Sequence, residues 1–92
     1  DRASFLTREA TRYFERMAAQ DPLDLWPLLY LGYLRMEAGD GDAALVLWRQ
    51  AMALQDHAVP HFLIGQLQLR RGQMVDGFKE LSTAMQLRGL DP

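Results

Sequence analysis

The stretch EAGDGDAALVLW, residues 37–48, holds three carboxylates within six residues, followed by an apolar run. It fits either a metal-binding loop or the corner where one helix ends and another begins. An EF-hand loop needs further oxygen ligands and a glutamate at its twelfth position, which this stretch lacks. The corner therefore explains it better. Gly39 closes a helix in the left-handed conformation, Asp40 caps the next helix, and Asp42 lies in its favourable first turn.

The composition bounds the class of protein. The chain has 92 residues, 49% hydrophobic and 24% charged, which suits one domain with a real core. A net charge of −2 gives no general attraction to nucleic acid or to an anionic membrane. The absence of cysteine excludes disulfides, thiolate zinc sites and cysteine nucleophiles. No apolar stretch reaches the roughly 20 residues of a spanning helix, and the first residues are too charged for a secretory signal. We expect a soluble domain, with the cytoplasm favoured, and the missing initiator methionine suggests a piece of a longer protein.

Apolar residues recur at helical spacing in five blocks, and strand-like alternation is absent. The predicted helices cover about residues 4–20, 26–38, 41–54, 60–72 and 74–87. Asp21-Pro22 ends the first because proline disfavours helix at the residue before it. Asp24 and Pro27 begin the second, and Pro60 opens the fourth. Helices joined by such short turns are expected to pair as antiparallel hairpins.

The chain also repeats itself. A shift of 33 residues lays 24–56 over 57–89, and seven aligned pairs are identical, where about two would be expected by chance. The identical pairs are Pro27/Pro60, Gly32/Gly65, Leu34/Leu67, Gly39/Gly72, Ala51/Ala84, Met52/Met85 and Leu54/Leu87. The first helix joins at a shift of 34 residues. We therefore divide a single domain, 1–92, into a half repeat (1–22, second helix only) and two full repeats (24–56 and 57–89).

A helix–turn–helix repeat of this length resembles the tetratricopeptide repeat, whose pattern is W-x2-L-G-x2-Y, then A-x3-F, then P. The resemblance rests on Leu31-Gly32 and Ala44-x3-Trp48 in the first full repeat, and on Ile64-Gly65 and Gly77-x3-Leu81 in the second. It implies an all-α fold of five helices, stacked as antiparallel helix–turn–helix repeats in a right-handed α-solenoid. The chain departs from the pattern at Leu28 and His61 (family Trp), Arg35 and Gln68 (Tyr), and Asp56 and Gly89 (Pro).

The small residues have a predicted packing role. Gly32 and Gly65 lack a Cβ and should let the two helices of each hairpin approach closely, and Ala44, Ala51 and Ala84 should do the same from the other side. The bulky residues expected to fill the remaining core are Leu31, Leu45, Trp48, Ile64, Phe78 and Leu81.

Members of the tetratricopeptide family line a concave groove with the first helix of each repeat. By this resemblance, the lining is Trp26, Leu29, Tyr33, Met36, Glu37, Val59, Phe62, Gln66, Leu69 and Arg70. Helical spacing separately places Leu29, Tyr33 and Met36 on one face of their helix. A mostly apolar lining suits an apolar peptide or an amphipathic helix rather than a C-terminal carboxylate, which related grooves hold with Lys, Arg and Asn. Alternatively, further segments of the chain itself cover part of this surface.

Residues with catalytic or metal-binding chemistry are few. His57 and His61 stand four apart, a spacing that can hold a metal, but Pro60 lies between them and no third ligand is evident, so packing is favoured. Ser4 and Ser82 belong to no recognisable nucleophile motif. We expect no enzyme, no catalytic residue, no cofactor and no metal.

The expected function is a non-catalytic protein–protein interaction module. Arg8, Arg12 and Arg16 form a basic ribbon on the first helix, which favours a solvated face over an acidic partner. Two other functions remain open: a chaperone, secretion or complex-assembly factor, and a homo-oligomerisation domain that self-associates through its uncapped ends. Phe78 and Met85 would be covered in that case, by missing sequence or by another copy. Nucleic acid and membrane insertion are not expected.

Overall fold

In the computed structural model, which describes residues 1–88, the chain forms five α-helices and no β-strand. The helices are α1 (Arg2–Gln20), α2 (Trp26–Glu37), α3 (Gly41–Leu54), α4 (Ala58–Arg70) and α5 (Met74–Leu87). The prediction of an all-α chain with five helices is confirmed. The first compact unit, Asp1–Leu54, contains α1 to α3, and the second, which begins at Gln55, contains α4 and α5. Gly89, the predicted end of the second full repeat, lies outside the described residues.

The two tight turns are built alike. Gly39 and Gly72 have φ angles of 88° and 78°, in the left-handed region that glycine enters without a Cβ penalty. The Gly39 N–H donates to the Met36 carbonyl, and the Gly72 N–H donates likewise to Leu69. The Asp40 N–H donates to the Arg35 carbonyl, and the Gln73 N–H donates to the Gln68 carbonyl, both at 2.9 Å. This pair of hydrogen bonds in each turn is the Schellman motif, which closes a helix. The predicted role of both glycines is confirmed.

Side-chain caps set where the helices begin. The Asp40 Oδ1 accepts a hydrogen bond from the Ala43 N–H at 3.0 Å, and this confirms Asp40 as a cap. The Asp24 Oδ1 accepts from the Trp26 N–H at 3.1 Å, but the N-cap of α2 is Leu25. The prediction of Asp24 as the cap is therefore wrong by one residue. The prediction that Pro60 opens the fourth helix is wrong, because α4 already begins at Ala58. The reason is His57, whose Nδ1 accepts from the Val59 N–H at 3.1 Å, so that Pro60 occupies a first-turn position that needs no intrahelical donor.

The indole of Trp48 organises the first compact unit. It is fully buried, and its Nε1–H donates to the Leu29 carbonyl at 3.2 Å. A Cβ added at Gly32 would lie 2.6 Å from the ring's Cδ1, so only glycine lets α3 approach α2 this closely. The helix α1 contributes an aromatic stack on α2, since the rings of Phe14 and Tyr30 lie 4.8 Å apart and nearly parallel.

The second compact unit is an antiparallel hairpin. His61, early in α4, meets Glu80 in the middle of α5. Leu69, late in α4, lies against Gly77 in the first turn of α5. A Cβ added at Gly65 would lie 3.0 Å from the Gly77 carbonyl oxygen, which confirms the close approach predicted there.

The predicted core is confirmed in part. Leu31, Trp48 and Ile64 are buried, and Leu45 and Leu81 are half-buried. Phe78 was wrongly assigned to the core, because it is 60% exposed. The face of α5 that packs on α4 carries Gly77 and Ala84, and Phe78 stands one residue out of that helical phase. The core alanines Ala44, Ala51 and Ala84 are buried as expected.

Candidate functional site

The ten predicted groove residues divide between the two compact units, and the structure separates those at a surface from those in the core. On α2, Trp26 is 44% exposed and Tyr33 is 48% exposed; Glu37 is also exposed and Met36 is half-buried. Leu29 is only 3% exposed. Its side chain therefore belongs to the core of the first unit and does not line an open surface, contrary to the expectation.

An exposed aromatic surface runs along α2, and we call Trp26, Tyr30 and Tyr33 the aromatic face. Residues three, four and seven apart lie on one side of a helix, and the rings of Trp26 and Tyr30 are 6.4 Å apart. Tyr30 is 50% exposed and was missed by the sequence analysis. Its spacing of four residues from Trp26 was a signal that could have found it.

The second unit contains an apolar cleft of about 390 Å³ between α4 and α5. It is lined by Ala58, Val59, Phe62, Leu81, Ala84, Met85 and Arg88. Only Val59 and Phe62 were predicted as site residues. Phe62 and Met85 stand at its surface, 47% and 45% exposed.

The origin of this cleft follows from the repeat. The 33-residue shift aligns Ala58 with Leu25 and Leu81 with Trp48. Leu25 is 4% exposed and Trp48 is fully buried, so large side chains fill these positions in the first unit. The second unit has a smaller residue at both, which leaves the volume open. Comparing side-chain sizes across the repeat was the signal that could have found this site.

The remaining predicted residues on α4 lie elsewhere. Leu69 packs against Gly77 in the interface between α4 and α5, Gln66 is half-buried, and Arg70 is exposed at the last turn of the helix. None of the three lines the cleft. The structure thus brings Val59 and Phe62 together with residues of α5 that the sequence analysis did not assign to a site.

His61 bridges two carboxylates. Its Nδ1 lies 2.6 Å from the Oε2 of Glu80, and its Nε2 lies 2.7 Å from the Oδ1 of Asp56. Partial burial alone would lower the pKa of His61, but the hydrogen bonds and negative charges of Glu80 and Asp56 together raise that pKa above its ordinary value of 6.5. Glu80 was not predicted as a partner of His61, because it is 19 residues away in the chain and reaches the ring only when α5 packs on α4.

The two histidines are engaged in separate contacts. The Nδ1 of His57 is occupied in capping α4, and both ring nitrogens of His61 face carboxylates. Across residues 1–88, no group of three or more His, Asp or Glu side chains is placed to hold a metal ion.

The basic ribbon on α1 is exposed, and Arg12 donates to the Oε1 of Glu9 at 3.3 Å. An exposed pair of this kind contributes about 0.2–1 kcal/mol at most.

Within the described part of the chain, no helix is long and apolar enough to cross a membrane. Comparison with models of protein families, with curated proteins and with solved structures gives no match.

Proposed function

We propose that this chain is a non-catalytic protein-interaction module that binds an apolar peptide or an amphipathic helix. The observation that carries the proposal is the apolar cleft between α4 and α5, with Phe62 and Met85 half-exposed at its surface. Clefts of several hundred Å³ with apolar walls are typical ligand sites. A flexible methionine beside an aromatic ring suits an apolar side chain of a partner.

The aromatic face on α2 supports the same function from the first unit. Trp26, Tyr30 and Tyr33 each keep between 44% and 50% of their surface exposed. Tryptophan and tyrosine are the residues most enriched among those that dominate binding energy at protein interfaces. A surface with three of them along one helix is therefore suited to contact a partner.

The proposed arrangement of the chain is that of tetratricopeptide repeats stacked as a right-handed α-solenoid. Its support is the recurrence, 33 residues apart, of the same Schellman turn at Gly39 and Gly72. Close helix contacts at Gly32 and Gly65 recur at the same interval. In such an array the first helices of the repeats line the binding surface.

The test begins with selection of peptides from a display library against the whole chain, followed by fluorescence anisotropy on the selected peptides. Phe62→Glu places a charge at the edge of the cleft, and we expect binding to weaken by about 30-fold or more, as for a dominant interface residue. Val75→Glu is the matched control, since Val75 is 70% exposed in the same unit and does not line the cleft.

Tyr33→Glu tests the aromatic face in the same way, with Val46→Glu as its control, because Val46 is 57% exposed on α3. Circular dichroism establishes that all variants keep their helicity. Full binding by the Tyr33→Glu/Phe62→Glu double variant would exclude both surfaces as the site.

Self-association is the second candidate function, and α1 provides the observation that favours it. No residue of α1 is buried, and Phe5 and Leu6 are 53% and 55% exposed. Sedimentation equilibrium of the free chain separates the two candidates. A stable dimer that Phe5→Glu dissociates would favour oligomerisation, whereas a monomer that captures the selected peptides favours the interaction module.

A further inference from the structure

The position of His61 between two carboxylates favours its charged form. A carboxylate offers only acceptors, so a ring nitrogen at hydrogen-bond distance from one must donate. Both ring nitrogens of His61 meet this condition, at 2.6 Å from Glu80 and 2.7 Å from Asp56. Neutral imidazole carries one N–H and imidazolium carries two. Two carboxylates at these distances therefore favour the charged ring, and the distances are in the range of charge-assisted hydrogen bonds.

These three side chains join separate segments of the second unit. Asp56 precedes α4, His61 lies in its first half, and Glu80 belongs to α5. His61 is 14% exposed, Glu80 is 28% exposed and Asp56 is 67% exposed. The pairing with Glu80 is thus the better shielded of the two and should be the stronger.

The repeat shows that this polar cluster is particular to the second unit. A shift of 33 residues places Leu23, Leu28 and Leu47 at the positions of Asp56, His61 and Glu80. All three leucines are replaced together by an acid, a histidine and an acid. Leu23 is 80% exposed, whereas Leu28 and Leu47 are half-buried. The second unit thus carries an ionic cluster at positions where the first unit has only leucines.

We propose that Asp56, His61 and Glu80 form a pH-sensitive clamp that fastens α4 to α5 and to the segment before α4, and that releases as the pH rises. Deprotonation removes one of the two N–H donors. A nitrogen lone pair then faces a carboxylate oxygen, so one arm of the clamp becomes repulsive. Phe62 and Leu81, which line the cleft, are the chain neighbours of His61 and Glu80, so release also loosens the two cleft walls. The clamp itself does not depend on the proposed binding function.

The charged groups that act on His61 come from two elements. Glu80 faces it from α5 and Asp56 from the segment before α4, and both favour its charged form. At the two ends of α4, His57 is the N-cap and Arg70 lies in the last turn. Because the pKa of His61 is raised in the folded chain, the clamp contributes its full stability below about pH 6.5 and loses it as the pH rises through the folded pKa.

The test uses a background in which His61 is the sole histidine. His57→Asn keeps a good helix cap and removes the other histidine. NMR titration of the His61 ring in the whole chain should show both nitrogens protonated at pH 6 and a midpoint above 6.5. Glu80→Gln should lower the midpoint more than Asp56→Asn does. A neutral ring at pH 6, or a midpoint that neither variant moves, overturns the clamp.

Stability gives the second readout. In the His57→Asn background, the folding equilibrium constant should fall by up to tenfold per pH unit between 6.5 and the folded pKa, and then level off. His61→Leu/Glu80→Leu restores the pair found at Leu28 and Leu47. It should fold and should not show this fall, because apolar pairs can replace ionic ones without loss of stability. The difference between the two proteins isolates the contribution of the His61–Glu80 pair. An unchanged fall in the leucine variant would refute the proposal.

Discussion

Gly32→Ala tests the packing that holds the first unit together. The added methyl would lie 2.6 Å from the Cδ1 of Trp48, where carbon atoms normally keep about 3.5–4.0 Å. The indole is fully buried, and protein interiors are close-packed, so a displacement of the ring is costly. Any displacement also breaks the hydrogen bond from its Nε1–H to the Leu29 carbonyl. The substitution should therefore strain the contact between α2 and α3.

Three effects determine the magnitude. Overpacking a close-packed core costs about 1–3 kcal/mol. Leaving the indole N–H buried without an acceptor costs a further 1–3 kcal/mol, roughly. Alanine gains about 1 kcal/mol over glycine through helix propensity. The free energy of unfolding should thus fall by about 1–5 kcal/mol, a large share of the roughly 5–15 kcal/mol of a typical domain. Helix propensity alone predicts the opposite sign.

Urea denaturation followed by fluorescence measures this change, because both tryptophans, Trp26 and Trp48, lie in the first unit. Gly65→Ala is the comparison in the second unit, followed by circular dichroism. There the new methyl meets the flexible Leu81 at 3.1 Å and the Gly77 carbonyl at 3.0 Å, so the loss should be smaller.

A double-mutant cycle isolates the cause. Trp48→Leu gives the first unit the residue that the second unit carries at the aligned position, and in that background Gly32→Ala should cost less. A coupling of about 1–3 kcal/mol between the two substitutions is expected for residues in direct contact. Gly32→Ala at or above wild-type stability, or strictly additive losses, would refute the packing argument.

Two smaller predictions concern the cap of α3 and the aromatic stack between α1 and α2. Asp40→Ala should lower the free energy of unfolding by about 0.5–2 kcal/mol, because α3 loses its cap. Asp40→Asn should stay near wild type, since asparagine also caps helices. If thermal denaturation shows the same loss of stability for both variants, the capping role is contradicted. Phe14→Ala and Tyr30→Ala should be coupled by about 0.5–1.5 kcal/mol through their ring stack, and a double-mutant cycle without coupling would show that α1 is held to α2 by other contacts.

Features that depend on near neighbours in the chain were predictable. The turns at Gly39 and Gly72 and the Asp40 cap follow from residues within a few positions of each other, whose backbone preferences act locally. The start of α4 was missed for a related reason. Histidine is not among the residues preferred as caps, so the prediction relied on Pro60 and placed the helix start too late.

For the contacts between helices, the sequence predicted which helices pair but not which side chains meet. The recurrence of Gly32 and Gly65 showed that two helices approach closely, but not which side chain meets the glycine. Phe78 was assigned to the core because its bulk suited a buried position. Its place in the helical phase of α5, one residue beyond Gly77, leaves it exposed instead.

The sequence by itself determined the helices, their turns and the 33-residue repeat, because these follow from local backbone preferences and from the spacing of apolar residues. Tertiary structure alone decided the rest. The repeat aligns Leu29 with Phe62, but Leu29 is buried and Phe62 lies at the edge of a cleft. The reason is the residue on the partner helix, because Trp48 in the first hairpin is larger than the aligned Leu81 in the second. The pairing of His61 with Glu80 likewise forms only when α5 packs on α4, because the two residues are 19 apart in the chain.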